Sequence, residues 1–145
     1  TSPEPYWQGV FLIPVNGVTG GRNFGHRRVF NDQPRAPHSG ADLTAATGTE
    51  IMASNAGKVV LTGDFFFNGL AVFVDHGMGV LTMYLHLSEI SVSTGQMLRK
   101  GEVIGLAGAT GRVTGPHLHW GARVGGARVD PFSLPGIPAE EVLSP

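Results

Sequence analysis

The sequence predicts a mainly β domain of antiparallel, sandwich-like architecture with little helix. The chain has 145 residues, and its 22 glycines and 10 prolines separate short runs of valine, leucine, isoleucine and phenylalanine. This pattern is typical of strands joined by tight turns. The connections are short, which favours antiparallel pairing of neighbouring strands. A hydrophobic content of 41% is enough for one core, because a chain of this length can bury a stable core without disulfides or structural metals.

Five segments have the composition of strands, and one dipeptide indicates a hairpin between two of them. Asn68-Gly69 stands between two apolar runs, which is a strong hairpin signal. Helix is predicted only as one turn at Ser88–Ile90 and as a short tail helix at Pro138–Leu143, with proline in its first turn. The predicted strands are Lys58–Thr62, Leu70–Asp75, Val80–Leu87, Val103–Ala107 and His117–Val124.

The two ends of the chain have the composition of appendages to a single domain. Residues 1–20 show little alternation of apolar and polar residues, which predicts an arm lying on the domain. We therefore expect an arm over 1–20, one domain over 21–135 and a tail over 136–145. No apolar run approaches the roughly 20 residues of a membrane span. Membrane association is accordingly expected only through an anchor removed from the chain.

Composition limits the partners and the type of metal site. The formal net charge is −1, and the 10 lysines and arginines form no basic stripe, which argues against nucleic acid as a partner. The chain has no cysteine, so any metal site must use histidines and carboxylates. Six histidines in this length are an enrichment, and their spacing therefore carries the functional analysis.

The segment His117-Leu118-His119-Trp120 lies in a predicted strand. Side chains alternate along a strand, so both imidazoles share one face while Leu118 and Trp120 share the other. Two converging imidazoles are half of a metal site. Taken alone, the pair is equally compatible with two surface histidines.

A second cluster places Asp42 four residues after His38, with Pro37 and Gly40 arguing against a helix. An extended segment also aligns positions i and i+4. Histidine and carboxylate ligands suit Zn²⁺ where no thiolate is present, and three protein ligands leave a fourth position for water. Taken alone, this cluster also fits a capped turn beside a surface histidine.

The remaining histidines differ in what their surroundings indicate. His86 lies in an alternating strand, where it is predicted to share one face with Tyr84 and to line a cleft; the alternative is a half-exposed strand histidine. His76 lies in the segment Asp75–Gly79, which predicts a turn. His26 is flanked by arginines and is expected in a loop.

Three motifs occur in the order that characterises the lysostaphin/LytM-type zinc peptidases of cell-wall metabolism, and the chain resembles that family. The family pattern is His-x-x-x-Asp, then Tyr-x-His-Leu-Ser, then Thr-Gly-Pro-His-Leu-His. The corresponding segments here are His38–Asp42, Tyr84–Ser88 and Thr114–His119. The resemblance extends over roughly residues 22 to 132 and is closest to Gram-negative members.

The resemblance implies a role for each of five residues. His38, Asp42 and His119 correspond to the Zn²⁺ ligands, and His86 and His117 correspond to the catalytic pair. Which of the two catalytic histidines acts as general base stays open. The resemblance also implies an antiparallel sheet with an open groove walled by loops, so that residues 21–135 are the zinc peptidase domain.

The implied function is a zinc-dependent endopeptidase acting outside the cytoplasm, for example in the periplasm, as a monomer. Its substrate would be the peptide part of peptidoglycan, with the D-alanyl cross-link to diaminopimelate favoured over a glycine bridge. One position departs from the family, which often has Phe-Glu where this chain has Trp120-Gly121. This departure implies that a carboxylate supporting the ligands is missing.

Two other functions are compatible with parts of the sequence. Catalytically inactive LytM-type domains bind peptidoglycan or activate amidases, but they typically lack metal ligands that this chain retains. The turn pattern over Gly95–Gly105 also resembles biotinyl and lipoyl carrier modules. A carrier requires a modifiable lysine at a hairpin tip, usually beside methionine, and neither Lys58 nor Lys100 meets that requirement.

Overall fold

The computed structural model describes residues 2–15, 40–111 and 115–134, and in these ranges the chain is almost entirely β. The mainly antiparallel β fold with little helix is confirmed. No helix in the described ranges is long and apolar enough to cross a membrane. The elements are β1 (Ala41–Thr44), β2 (Glu50–Met52), β3 (Gly57–Phe65), β4 (Gly69–Gly77), β5 (Val80–Ile90), β6 (Met97–Leu98), β7 (Val103–Ala107), β8 (His117–Val124), β9 (Ala127–Val129) and a 3₁₀ turn (Pro131–Ser133).

The strands form one sheet in the order β1-β8-β5-β4-β3-β6. Every pairing is antiparallel, as the short connections predict. Strand β9 adds to β8, and β7 pairs with both β2 and β5. The long strand β5 pairs with β8 over its first half and with β7 near its end. Strands β5 and β8 therefore lie at the centre of the domain.

The predicted hairpin and strands are present, whereas one predicted helical turn is wrong. Strands β3 and β4 meet where Phe65 pairs with Gly69, so the Asn68-Gly69 hairpin is confirmed. Ser88–Ile90 continues β5 as strand instead of forming a helical turn, because Ile90 pairs with Gly105 of β7. Pairing with a distant strand overrides local preference there. The predicted tail helix at Pro138–Leu143 lies outside the described residues.

The hydrophobic core lies against one face of the central strands. Its largest fully buried side chains are aromatic, and Trp120 packs edge-on against Phe132 with ring centroids 5.1 Å apart. Burying an aromatic or aliphatic side chain of this size stabilises the fold by roughly 1.5–3 kcal/mol. The largest fully buried side chains include Trp120, Tyr84, Phe11, Phe132, Leu43, Ile51 and Leu87.

Residues 2–15 lie along the sheet and contribute to this core. The backbone N–H of Tyr6 donates to the carbonyl of His76 at 2.6 Å, and the N–H of Met52 donates to Pro14 at 2.8 Å. Phe11 is only 1% exposed. The arm described by these residues is therefore attached by both hydrogen bonds and burial. The domain bounds 1–20, 21–135 and 136–145 stay a prediction.

His76 lies in β4 and is fully buried, so the prediction that it lies in a turn is wrong. The turn begins later, at Met78 and Gly79, both of which have positive φ. His76 stays in the strand because the hydroxyl of Thr82 in β5 and a backbone carbonyl provide it with partners. Its Nδ1 lies 2.8 Å from the carbonyl oxygen of Ala56, and its Nε2 lies 2.7 Å from Thr82 Oγ1.

These contacts form a directed chain of hydrogen bonds that requires a neutral imidazole. The Ala56 carbonyl can only accept, so Nδ1 carries the proton and Nε2 accepts from the Thr82 hydroxyl. Thr82 Oγ1 in turn accepts from Tyr84 Oη at 2.8 Å. Tyr84 Oη accepts from the backbone N–H of Ser54 at 3.0 Å. Burial lowers the pKa of His76 from 6.5 to about 4, although the Ala56 carbonyl and the charge of Asp75 oppose this shift.

We predict that stability falls as the pH is lowered from about 6.5 to about 4. The unfolded chain binds a proton at His76 in this range whereas the folded chain does not, so the free energy of unfolding decreases by about 3 kcal/mol. Above about pH 6.5 His76 is neutral in both the folded and the unfolded chain, and its full contribution to the free energy of unfolding is present. Urea unfolding at pH 7, 5.5 and 4 measures it.

The matched variant is His76→Gln, which keeps a donor and an acceptor but does not titrate. Its free energy of unfolding should change less than that of the wild type over the same pH range, by about 3 kcal/mol. Equal pH dependence in the two proteins would contradict the assignment to His76.

Candidate active site

The register between β1 and β8 brings three of the predicted site residues together. Asp42 pairs with His119, and the neighbouring pair on the same face is Thr44 with His117. The intervening pair, Leu43 with Leu118, is buried. Because side chains alternate along both strands, the polar pairs lie on the opposite, solvent-accessible face. The prediction that the two imidazoles share a face opposite Leu118 is thus confirmed.

The carboxylate of Asp42 contacts both imidazoles. Its Oδ1 lies 2.7 Å from His119 Nδ1 and 3.4 Å from His117 Nε2. Burial raises the pKa of Asp42, but hydrogen bonds from His117 and His119 and their positive charge when protonated outweigh it. The net pKa is held well below the usual range of a carboxyl group. Asp42 is therefore an anion at neutral pH, as a metal ligand must be.

His86 reaches the same face through an irregularity in β5. Leu70 pairs with Leu87 and Val72 pairs with Tyr84, so Ala71 of β4 lies opposite both Leu85 and His86. Two residues opposite one constitute a β-bulge. His86 has a φ of 65°, a left-handed conformation that is rare outside glycine. Its backbone N–H donates to the carbonyl of Asn68 at 2.8 Å.

The bulge corrects the predicted face of His86. Strict alternation places His86 on the face of Tyr84, but Tyr84 is fully buried in the core. The ring of His86 instead lies with its centroid 5.3 Å from that of His117 and 6.3 Å from that of His119. The extra residue shifts the alternation, so that Leu85 and His86 both leave the core before Leu87 returns to it. The predicted face shared with Tyr84 is therefore wrong, and His86 lies beside His117 and His119 instead.

Backbone carbonyls determine the tautomers of His86 and His117. His86 Nδ1 lies 2.8 Å from the carbonyl oxygen of Thr110, and His117 Nδ1 lies 2.9 Å from that of Gly115. Because a carbonyl can only accept, Nδ1 of each ring carries a proton. His86 Nε2 is then the basic nitrogen, whereas His117 Nε2 faces the carboxylate of Asp42 and donates to it. Thr110 is held in turn, since its hydroxyl donates to the Leu87 carbonyl and accepts from the N–H of Leu70.

Burial lowers the pKa of His86, and nearby positive charge at His117 and His119 lowers it further. The carbonyl of Thr110 and the carboxylate of Asp42 act in the opposite direction but do not reverse the shift. His86 is therefore neutral at pH 7, with a lone pair available on Nε2.

Gly40 provides the space that the His119 ring occupies. It has a φ of 103°, and a Cβ built on it would lie 2.7 Å from His119 Nε2 and 2.7 Å from the carbonyl oxygen of Trp120. Both features require glycine. From the sequence, Gly40 is evidence only against a helix, and its role beside His119 is not predicted. The position of Gly40 between the predicted ligands His38 and Asp42 is the sequence signal that could have indicated this role.

A groove extends from the site along β5 and β8. At one end it is lined by His119 and Gly40, and at the other by Arg123 and Arg128. The sequence analysis missed these arginines, although Arg123 follows His119 at the spacing of four that keeps strand residues on one face. Between the two ends the lining residues include Leu85, Met83, Gly121 and Ala122. The departure at Trp120-Gly121 thus places Trp120 in the core and Gly121 in the groove.

The described part of the predicted ligand set has suitable chemistry for a divalent metal. Asp42 Oδ1 and His119 Nδ1 converge at a solvent-accessible face, and carboxylate and imidazole are common Zn²⁺ ligands. Within the described ranges, no three acidic, histidine or cysteine side chains are grouped closely enough to hold a metal. His38, the third predicted ligand, and His26 lie outside the described residues.

The chain belongs to peptidase family M23, whose sequence profile matches residues 36–131. The match includes all five predicted site residues. Among characterised proteins, the peptidoglycan DD-endopeptidase ShyA of Vibrio cholerae is 45% identical over 109 residues, which cover 74% of this chain and 25% of ShyA. The chain therefore spans about a quarter of the length of this relative.

Two solved structures have the same fold. A putative M23 peptidase from Pseudomonas aeruginosa has a TM-score of 0.75 and 45% identity, covering 90% of this chain and 52% of the other. A zinc-containing peptidase from Vibrio cholerae has a TM-score of 0.66 and 30% identity, covering 92% of this chain and 39% of the other. The resemblance noted from three short motifs is thus confirmed by similarity over most of the chain.

We predict that Gly40→Ala displaces the His119 ring. Alanine at this position is strained by the positive φ and overlaps the imidazole, so the variant should lose about 2–4 kcal/mol of unfolding free energy. The control is Gly95→Ala, because Gly95 has a φ of 95° with no neighbouring atom within 4 Å. The control should lose about 1–2 kcal/mol from backbone strain alone.

Urea unfolding and the imidazole NMR signals of both variants measure the difference. The His119 signals should shift in Gly40→Ala and stay in place in Gly95→Ala. Identical spectra for the two variants would show that Gly40 does not position His119.

Proposed function

We propose that the chain is a zinc-dependent endopeptidase that hydrolyses peptide bonds in peptidoglycan stem peptides or cross-links. The observation that carries this proposal is the convergence of Asp42, His119, His117 and His86 on one open face of the sheet. Membership of a peptidase family and similarity to a peptidoglycan DD-endopeptidase support the reaction and the substrate. Since peptidoglycan lies outside the cytoplasm, the proposal also implies a periplasmic or other extracytoplasmic location.

In this proposal His38, Asp42 and His119 hold the metal. Bound Zn²⁺ supplies a Lewis acid that polarises the scissile carbonyl and makes water nucleophilic at neutral pH. Asp42 contributes a negative charge that is present well below pH 7, because its pKa is lowered by the two histidines. Gly40 keeps the space beside His119 open for the ring.

His86 and His117 are the proton-transfer pair in this proposal. Each ring has Nδ1–H bonded to a backbone carbonyl. His86 Nε2 can then accept a proton from the attacking water and return it to the departing amine, and His117 Nε2, which faces Asp42, can do so once Asp42 is engaged by the metal. A protonated Nε2–H also donates to an oxyanion. The ring centroids of His86 and His117 lie 5.3 Å apart, so both functions fall within reach of one substrate carbonyl.

We predict that replacing a ligand abolishes zinc binding and peptidase activity together. His38→Ala and Asp42→Ala each remove one of three ligands, and the bound metal should be lost on dialysis. Asp64→Ala is the control, because Asp64 is an exposed carboxylate on β3. Zinc content and release of peptides from purified peptidoglycan are the two measurements.

The same assay tests the alternative of an inactive, binding or amidase-activating domain. Release of peptides that stops with a chelator and resumes with added zinc supports the proposed function. Binding to peptidoglycan with no cleavage by the zinc-loaded chain would favour the inactive alternative. Full metal content and full activity in His38→Ala would show that the ligand assignment is wrong.

We predict that His86 variants retain zinc but lose turnover. His86→Ala should lower kcat by about 10²–10⁴-fold because it removes a general acid or base. His86→Asn has the same expected loss but tolerates the positive φ, which separates chemistry from backbone strain. Zinc content and steady-state kinetics measure the two effects, and an Asn variant with wild-type kcat would exclude His86 from proton transfer.

A further inference from the structure

Two arginines lie directly opposite one another at the end of the groove. Arg123 of β8 pairs with Arg128 of β9, and the register is held by the adjacent pair Val124 with Ala127. A two-residue turn closes this hairpin, with φ of 60° at Gly125 and 87° at Gly126, the conformation of a type I′ turn. Like charges directly opposite on a sheet are destabilising. The hairpin therefore holds an unfavourable pair in a defined place.

Neither arginine is neutralised within the part of the chain that the structure describes. The ion pairs in those ranges join Asp42 to His117 and to His119, and none involves Arg123 or Arg128. Both arginines nevertheless line the same groove as His119. The groove thus combines a proposed cleavage site at one end with two unpaired guanidinium groups at the other.

Gly121, Met83 and Leu85 line the groove between these two ends. His119, Gly121 and Arg123 share one face of β8 because they are spaced by two residues. Gly121 adds no side chain of its own, and the side chain of Met83 packs against it, since a Cβ there would lie 3.1 Å from Met83 Cε. The family often has glutamate at this position, and a carboxylate there would lie between the metal ligand and Arg123. Its absence leaves the guanidinium groups available to a ligand.

The spacing suits a peptide bound along the groove. At about 3.3 Å per residue, the Cα atoms of His119 and Arg123 lie roughly 13 Å apart, the length of three to four extended residues. An arginine side chain that extends toward the site shortens this distance. A group one to four residues from the scissile bond can therefore reach the guanidinium pair.

We propose that Arg123 and Arg128 form a subsite for a free carboxylate on the peptide being cleaved. The planar guanidinium group binds carboxylates through two parallel hydrogen bonds, and two such groups suit one anion. A bound carboxylate also removes the repulsion between the two arginines. This inference rests on the proposed function, because it assigns the specificity of the same groove.

The subsite favours stem peptides that contain diaminopimelate over glycine bridges. In a direct cross-link, the diaminopimelate residue that contributes the amine keeps a free carboxylate beside the scissile bond, whereas glycine residues within a bridge have none. A second source is the α-carboxylate of the γ-linked glutamate of the stem. Both sources offer the same chemistry, and amidated substrates distinguish them.

The test uses the zinc-loaded full chain and three synthetic cross-linked peptides. One has both carboxylates free, one has the diaminopimelate carboxylate amidated, and one has the glutamate carboxylate amidated. One of the two amidated peptides lacks the carboxylate that the arginines bind, and we call it the relevant amide. The wild type should cleave the free peptide with a kcat/KM about 10–100-fold above that for the relevant amide. Arg123→Gln/Arg128→Gln should lower kcat/KM for the free peptide by the same factor and change the relevant amide less than about threefold.

Arg99→Gln is the matched control, since Arg99 is exposed and its side chain lies on a different surface from the groove. It should behave as the wild type with all three peptides. An arginine double variant with wild-type kcat/KM for the free peptide would overturn the proposal. So would a wild type that cleaves all three peptides equally.

A binding measurement separates failure of the subsite from failure of the proposed function. The cleaved products, which need no catalysis, should bind the wild type about tenfold more tightly than the double variant, and only when the relevant carboxylate is free. If the wild type binds in this way but cleaves nothing, the peptidase proposal fails and the subsite stands. If it cleaves but shows no carboxylate preference, the subsite fails alone.

A stability readout separates recognition from a structural role of the arginines. Removing one member of a like-charge pair should raise Tm by about 1–3 °C in Arg128→Gln without ligand. A fall in Tm would show that the arginines are held by interactions of their own, and would overturn the argument for an unpaired, anion-binding pair.

Discussion

The antiparallel register between β1 and β8 is the constraint on which the candidate site depends. Asp42 and His119 are 77 residues apart in sequence, and they meet only because their strands pair at these positions. The apolar faces of the same strands determine the register, since Leu43 pairs with Leu118 and both are buried. A slip of one residue would move Asp42 into the core and Leu43 into solvent. Burial of apolar side chains therefore sets the geometry of the polar site.

Strand β5 supplies both the core and the groove, and a bulge makes this possible. Tyr84 and Leu87 are fully buried, while His86 between them lies beside His117 and His119. Regular alternation cannot give this arrangement. The left-handed conformation of His86 is unfavourable by about 1–3 kcal/mol. The surrounding pairings, the bond to Asn68 and the bond to Thr110 hold the residue in place against that cost.

Strand β8 divides its two faces between stability and recognition. One face carries Leu118, Trp120 and Ala122, all of which are buried. The other carries His119 and Arg123 with Gly121 between them. Glycine stands where the family often has glutamate, so no carboxylate lies between His119 and Arg123 on this face. The proposed metal ligands of β8, the proposed proton-transfer pair and the proposed carboxylate subsite thus share one sheet face, and the core packs against the opposite face.

Local sequence was sufficient where the determining interactions are local. Alternation placed His117 and His119 on one face, and Asn68-Gly69 specified a hairpin. It failed at His76, at Ser88–Ile90 and at the face of His86, where the outcome depends on strands distant in the chain. His76 stays in β4 because the carbonyl of Ala56 and the hydroxyl of Thr82 in β5 complete its hydrogen bonds. The role of Gly40 is equally non-local, since it depends on the position of the His119 ring.

The sequence by itself therefore determined the mainly β fold, the family and the identity of the candidate site residues. These follow from residue types, from alternation and from the order of short motifs, all of which are properties of neighbouring positions. Only the tertiary structure decided how Asp42, His86, His117 and His119 converge, and that Arg123 and Arg128 face one another at the end of the groove. Strand register, bulges and burial decide these contacts, and each depends on the pairing of segments far apart in the chain.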